Sequence, residues 1–427
     1  MNSMKGKNLS ERDQKHLWHP LTQHKTAATP VGIVKAEGAL FWDEAGNSYI
    51  DGIASWYTAM YGHGNEAITR ALTEQMKQLD FVMFSGFTHE PAVKLSEELM
   101  ALLPRNQAKI FFNDNGSTAV EAAIKMALQY HYNQHDKRDT LIAFEDGFHG
   151  DTFGAMSASG LSVYNGPFED FLLKVERIPV PQRENMEEVL SQLNSILSGN
   201  KCAAFVFEPL VQGAAGMKFH SAEGLDLLIQ KCQENGVLCI ADEVMTGFGK
   251  TGKNFASENL LHQPDILCLS KALTAGMFPL SITSCTQEVF NAFLSEEVSK
   301  GFFHAHTYSA HPLGCAAALA GLQLLNSPEI LERRSYIASA HKTFVSKISN
   351  HPKVSNARSI GVILAIDLKV ETERYGNLRD RLYNFFMVRG VLLRPLGNTI
   401  YALPPYIISN AQLQRIHDAI NELLDSL

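Results

Sequence analysis

Cysteine is sparse: Cys202, Cys232, Cys239, Cys268, Cys285 and Cys315 stand singly, mostly inside apolar runs. With no C-x-x-C pair and no cysteine–histidine spacing of the zinc type, neither a disulfide framework nor a metal centre is expected, and the cysteines read as reduced core residues. Long apolar runs are missing too. No segment supplies the ~18 uninterrupted apolar residues of a membrane-spanning helix, and the polar start, MNSMKGKNLSERDQKH, has no apolar stretch of the secretory kind. A cytoplasmic location is the resulting expectation. Basic blocks are absent, and the formal net charge is -8, so small molecules rather than nucleic acid or membrane are the expected partners. There is no internal repeat, low-complexity tract or long Pro/Gly/Ser linker, which leaves the rhythm of the elements as the only guide to organisation.

What is present is an ordinary globular composition, 45% hydrophobic and 19% charged over 427 residues, enough for a large domain and a smaller one. From about residue 108 to about 290, short apolar runs alternate with amphipathic segments: KIFF before Asn113, then STAVEAAIKMALQYHY; TLIAF before Glu145; AAFVF before Glu208; GVLCIA before Asp242; DILCLS before Lys271; and LSITSC. This pattern predicts an α/β fold with a parallel sheet wrapped by helices, and in such sheets ligands bind beyond the carboxyl ends of the strands. The polar residues just named all fall at those ends. From about 330 the chain reads as a smaller α+β unit, with LERRSYIASAHKTFVSKI and AQLQRIHDAINELLDSL as helices and GVILAIDL as a strand. Its expected partner is the N-terminal stretch, where GALFWDEAGNSYIDGI reads as a hairpin turning at Glu44–Asn47. The expected division is 1–65 and 329–427 in the small domain and 66–328 in the large one.

The segment CIADEVMTGFGKTG, followed by DILCLSKAL, puts Asp242 at the end of one buried strand and Lys271 just past the next. Alone, such an Asp is more often a helix cap and such a Lys more often solvated. Together they meet the needs of pyridoxal phosphate: an amine to form an imine, and a carboxylate to keep the pyridine nitrogen protonated so that the ring acts as an electron sink. The phosphate needs a cradle. NDNGSTAVEAAIKMA supplies a strand, a glycine turn at Gly116 and a helix starting near Ser117, although a Ser opening a helix with Glu121 one turn on also describes a plain N-cap. In FEDGFHGDTFG, Phe148 or His149 offers a ring to stack on the pyridine, or merely packs. Glu208 and Val244 are expected at the ring's edge and against its other face.

These residues resemble the class III, fold-type I, aminotransferases. The likeness runs from HLWHPLTQHK through DEVMTGFGKTG and LSKAL to HTYSAHPLGCAAAL. It implies a transaminase in which Gly116 and Ser117 hold the cofactor phosphate, Asp242 the ring nitrogen, and Lys271 the Schiff base. It also implies a homodimer with shared active sites, in which Thr307 contacts the phosphate across the subunit boundary, with His306 beside it. Within the family, WHPLT, DGIASWY, VMFSGFTHEPA, FHGDTFGAMS, EPLVQGAAGM and LRPLGNTIYALPPYII resemble a branch that aminates a keto acid with a distant carboxylate, using S-adenosylmethionine as donor. By that resemblance Trp56, Tyr57, Phe148 and Ala305 line the substrate channel, and Arg394 clamps the carboxylate through two parallel hydrogen bonds. Leu21, Tyr57 and Phe148 depart from the branch's commoner aromatic residues, and Ala305-His306-Thr307 replaces G-P-T. Lysine or another amine therefore stays open as amino donor, and another class III transaminase, acting on an ω-amino acid or a polyamine, is the nearest rival. A binding protein that kept the fold without activity, or an unrelated nucleotide-binding α/β protein, is the rival of another class.

Overall fold

The computed structural model describes residues 8–160, 165–370 and 377–427, so the first seven residues of the polar N-terminal stretch lie outside the described residues. In chain order the strands are β1 (Ile33–Glu37), β2 (Leu40–Asp43), β3 (Ser48–Asp51), β4 (Gln107–Asn113), β5 (Thr140–Phe144), β6 (Val175–Ile178), β7 (Cys202–Phe207), β8 (Val211–Gln212), β9 (Lys218–Phe219), β10 (Leu238–Asp242), β11 (Ile266–Leu269), β12 (Ser281–Thr286), β13 (Val354–Ile360), β14 (Ile363–Leu368), β15 (Val391–Leu392) and β16 (Thr399–Ala402).

Seven of them form one sheet in the order β4-β12-β11-β10-β7-β5-β6. The strands β11, β10, β7, β5 and β6 pair in parallel, whereas β12 runs antiparallel to both β11 and β4. The LSITSC strand therefore departs from the uniformly parallel pattern. Its approach, from Leu269 to Ser281, has no room for the crossover of about a dozen or more residues that a parallel return requires. Every residue of β7, β10 and β11 is buried, as expected where helices cover both faces and the strands read as continuous apolar runs. Burying rings such as Phe144, Phe205 and Phe207 contributes about 1.5–3 kcal/mol each.

The helix Gly116–Asn133 packs on this sheet. It opens on a capping box: Asn115 Oδ1 accepts from the Thr118 N–H, and Thr118 Oγ1 accepts from the Asn115 N–H. The cap is thus Asn115 with Thr118, not Ser117 with Glu121, and Ser117 is free for other work. The helix Pro312–Leu325 is apolar almost all round and largely buried, the mark of a core helix.

A second sheet, β1-β2-β3-β15, joins the two ends of the chain. Asp43 Oδ1 accepts from the backbone N–H groups of Ala45 and Asn47 and so closes the β2–β3 turn. β3 then pairs in parallel with β15, with Ile50 opposite Val391 and Asp51 opposite Leu392. Gly52 permits the close approach, because a Cβ there would lie 2.6 Å from Leu393 Cδ2 and 2.9 Å from the Leu392 carbonyl oxygen. The remaining C-terminal strands make the sheet β13-β14-β16, accompanied by the helices Pro328–Ile348 and Asn410–Ser426. Among the described residues no helix is long and apolar enough to cross a membrane, and all six cysteines are buried and free.

Candidate active site

Three neighbouring parallel strands deliver the central groups. β10 ends on Asp242, Lys271 lies two residues beyond β11, and Glu208 lies one residue beyond β7. Because the strands are adjacent and point the same way, all three side chains reach one cavity of about 1210 Å³ at the carboxyl edge of the sheet. Lys271 adopts a left-handed backbone, φ 50°, and its amine lies over the Tyr57 ring, 5.2 Å from the centroid. Burial pushes the amine's pKa down, with Asp242 and Glu208 pulling the other way; the net direction is down, toward a free base. Burial drives Glu208 up to about 7, even though His149 opposes the rise and the N–H groups of Phe148 and Gly213 donate to its two oxygens at 3.1 and 2.8 Å.

His149 does not stack in the cavity as a free ring. Its Nδ1 lies 2.8 Å from Asp242 Oδ2, and both side chains are almost wholly buried. Asp242 Oδ1 accepts from the Val244 N–H at 3.0 Å. An ionised carboxylate only accepts, so Nδ1 carries the proton in this bond. Burial alone would lower the imidazole's pKa, but the hydrogen bond and charge of Asp242, with Glu208 behind it, turn the net direction upward. Phe148, 43% exposed, is left as the ring at the cavity wall.

Gly116 is bound to this arrangement sterically. A Cβ on it would sit 2.7 Å from Val244 Cγ1, so the helix N-terminus and the Val244 side chain meet only because residue 116 has none. Ser117 Oγ accepts from the Thr152 N–H at 2.9 Å and lies 2.9 Å from Thr152 Oγ1, which itself donates to Glu121 at 2.7 Å. Glu121 therefore braces Thr152 and the Gly154 N–H rather than closing a capping box. Gly150, φ +131°, passes so close that a Cβ would lie 2.2 Å from Ser117 Oγ.

Trp56, Tyr57 and Arg394 also line the cavity. The Arg394 guanidinium lies 4.7 Å from the Trp56 ring centroid, a cation–π contact, and the Tyr57 hydroxyl donates to that of Tyr401 at 2.9 Å. Ala54, Ser55, Trp56 and Tyr57 all have φ between 45° and 68°, an uninterrupted left-handed turn of residues that have a Cβ, at a cost of about 1–2 kcal/mol each.

Eleven of the residues singled out in the sequence thus line one cavity: Trp56, Tyr57, Gly116, Ser117, Phe148, His149, Glu208, Asp242, Val244, Lys271 and Arg394. Ala305, His306 and Thr307 do not. Ala305 and Thr307 are exposed, and His306 approaches only the rim, with Nδ1 3.4 Å from Asp114 Oδ2. Asn113 is buried against Thr283 and Glu145 is exposed, so neither strand-end residue reaches the cavity. Leu21 does line it, as do Thr152 and Tyr401, which sequence reasoning passed over. Both hydroxyls sit in segments already notable for other residues, FHGDTFG and LRPLGNTIY; a polar group following an otherwise apolar or glycine turn was the available signal.

The donor set fits a phosphorylated pyridine aldehyde. It has a buried amine, a buried carboxylate held by two donors, a glycine-flattened floor, and a capped helix N-terminus whose Ser117 faces the same space. The class III aminotransferase family model matches residues 21–424. The chain belongs to the class III aminotransferases. Among relatives of this family, the adenosylmethionine-8-amino-7-oxononanoate aminotransferase of Synechococcus elongatus is 43% identical, covering 96% of this chain and 99% of its own. The enzyme of that name from Helicobacter pylori is 33% identical over 98% of each. The crystal structure of a protein of the same name from Methanocaldococcus jannaschii superposes with a TM-score of 0.93 at 32% identity, covering 98% of both chains. That solved structure shares this chain's architecture, a mainly parallel sheet flanked by helices.

Proposed function

We propose that this chain transfers an amino group to 8-amino-7-oxononanoate, giving 7,8-diaminononanoate in biotin biosynthesis, with S-adenosylmethionine as donor and pyridoxal phosphate as cofactor. The observation that carries the reading is the convergence of Lys271, Asp242 and Arg394 on one cavity. The names of the full-length relatives support the same acceptor and donor.

When bound, pyridoxal phosphate supplies a carbonyl carbon for the amine and a protonated ring that draws electron density from the substrate's Cα. The backbone N–H groups at Gly116 and Ser117 bind its phosphate, where the helix dipole adds about 0.3–1 kcal/mol. Asp242, oriented by His149 and the Val244 N–H, holds the proton on the ring nitrogen through a charge-assisted bond. Lys271, its pKa lowered by burial, would hold the cofactor's carbonyl carbon and would serve as the base that takes and returns the proton at the substrate's Cα. Phe148 and Val244 would flank the ring, and Glu208 would lie at its edge. At the far end Arg394, steadied on Trp56, binds the distal carboxylate, while Tyr57 lines the channel.

The exposure of Ala305 and Thr307 supports a homodimer in which Thr307 of the partner subunit reaches the phosphate, with His306 beside it. The two chain ends joined through β3 and β15 support a small domain of residues 1–65 and 329–427 beside a large one of 66–328. A cytoplasmic location is part of the same proposal.

Lys271→Ala tests the assignment. The variant is expected to keep its fold by circular dichroism and to lose turnover and borohydride-fixable yellow colour; substantial residual transamination would remove Lys271 from the mechanism. Mixing the yellow enzyme separately with S-adenosylmethionine and with lysine, and following its conversion to the pyridoxamine form, tests the donor. Conversion by lysine alone would replace S-adenosylmethionine.

A further inference from the structure

Between β3 and the cavity the chain makes the left-handed turn Ala54–Tyr57, four consecutive non-glycine residues in a region that L side chains rarely adopt. Such a conformation persists only where its surroundings over-determine it. The group that does so is Asp51, the last residue of β3, whose side chain is fully buried. Its Oδ1 accepts from the N–H groups of Ile53 at 3.3 Å and Ser55 at 3.0 Å. Its Oδ2 lies 3.0 Å from Ser55 Oγ and 3.0 Å from His63 Nε2. Four groups converge on the two carboxylate oxygens from inside the turn and from the loop behind it. Thr58 Oγ1 closes the far side by donating to the Ser55 carbonyl at 2.8 Å.

The position of this clamp gives it a consequence at the substrate. Asp51 pairs with Leu392 in the parallel β3–β15 register, two residues before Arg394. One strand pair therefore launches both the turn that carries Trp56 and the segment that carries Arg394, and the two side chains meet at 4.7 Å. We propose that Asp51 is a positioning residue: by bonding Ser55 and His63 it holds the left-handed turn that keeps Trp56 under Arg394, and so sets recognition of the acceptor's distal carboxylate. The last step rests on the reading of Arg394 given above.

Asp51→Asn keeps the size but removes the charge and turns one acceptor into a donor, which Ser55 Oγ and His63 Nε2 can meet only by giving up their own donation to it. Glycine at 54 makes the left-handed backbone easy, and a β-branched residue at 55 makes it harder while keeping the hydroxyl. The holoenzyme with Trp18 and Trp42 replaced by Phe reports on Trp56 alone, through acrylamide quenching of its fluorescence. Asp51→Asn is expected to raise the quenching constant and to raise KM for 8-amino-7-oxononanoate by about tenfold, with kcat changing far less. Adding Ala54→Gly is expected to restore both toward the parent values, a rescue that a merely structural role for Asp51 would not show. Ser55→Thr is expected to reproduce the defect, and it carries the test if Asp51→Asn does not fold. A folded Asp51→Asn with unchanged Trp56 quenching, or a defect that Ala54→Gly leaves untouched, overturns the proposal. Quenching that shifts and recovers as described, with KM constant throughout, supports the clamp on the turn and overturns the assignment of Trp56 and Arg394 to the carboxylate.

Discussion

His149 separates two readings of the same motif, a ring that stacks on the cofactor and a donor that orients its counter-ion. The 2.8 Å contact between Nδ1 and Asp242 Oδ2, with both groups almost entirely out of water, makes it the orienting donor. A hydrogen bond to a charged group contributes about 1.5–3 kcal/mol, and 1.4 kcal/mol is a factor of about ten in an equilibrium constant. Asp242→Asn, which removes the carboxylate that favours the protonated ring, is therefore expected to weaken pyridoxal phosphate binding by roughly 10- to 150-fold. His149→Ala leaves Asp242 only its bond from Val244, and about tenfold weaker binding is expected. The decisive measurement is the double variant, titrated with cofactor and followed by absorbance. If His149 acts only through Asp242, removing it in the Asp242→Asn background costs little more, and the two effects fall short of multiplying by about the whole of the smaller one. Fully multiplicative effects would mean that His149 touches the cofactor directly and would refute the orienting role.

Arg394→Ala is expected to raise KM for the long keto acid by about tenfold or more with little change in kcat, and Arg394→Lys to recover only part of it, since an ammonium cannot make two parallel bonds; unchanged kinetics would remove Arg394 from the pocket. Gly116→Ala forces a Cβ to within 2.7 Å of Val244 Cγ1. Overpacking of about 1–3 kcal/mol should weaken cofactor binding, and Val244→Ala should relieve it; a Gly116→Ala enzyme with normal affinity would contradict the tight floor. Glu208 offers a pH test in the cofactor-free protein. Its pKa of about 7, raised by burial from 4.5, means that the folded chain binds more protons than the unfolded one between those values. Stability should therefore fall as pH rises from 4.5 through about 7, by roughly 3 kcal/mol at about 1.4 kcal/mol per pH unit. Denaturation midpoints across that range check the slope, and Glu208→Gln should flatten it.

Much of the architecture was legible in the chain because buried parallel strands leave little choice of residue. CAAFVF, LCIAD and ILCL are continuous apolar runs, and in each case a polar residue at or just past the strand end marks the ligand edge. The antiparallel turn of β12 was not legible in its own six residues; it depends on the length of the connection before it. The cap at Asn115 was obscured because Ser117 is itself a favoured cap residue with an acidic residue one turn on, and only the backbone shows which oxygen the Thr118 N–H reaches. The left-handed turn at Ala54–Tyr57 contains no glycine and so carries no local sign of its conformation.

By itself, then, the amino-acid sequence determined the alternation of elements, the family, and the pair Lys271 and Asp242, because strand burial and cofactor chemistry act through residue type and spacing. Tertiary structure decided which neighbours those residues have. His149 was assigned to Asp242 rather than to the ring face, Thr152 to Ser117 and Glu121, and Trp56 to Arg394, by segments adjacent in space but distant along the chain. The reason is physical: a hydrogen bond or a cation–π contact depends on ångström distances between side chains, and these are set only once the sheet order places each strand end beside another.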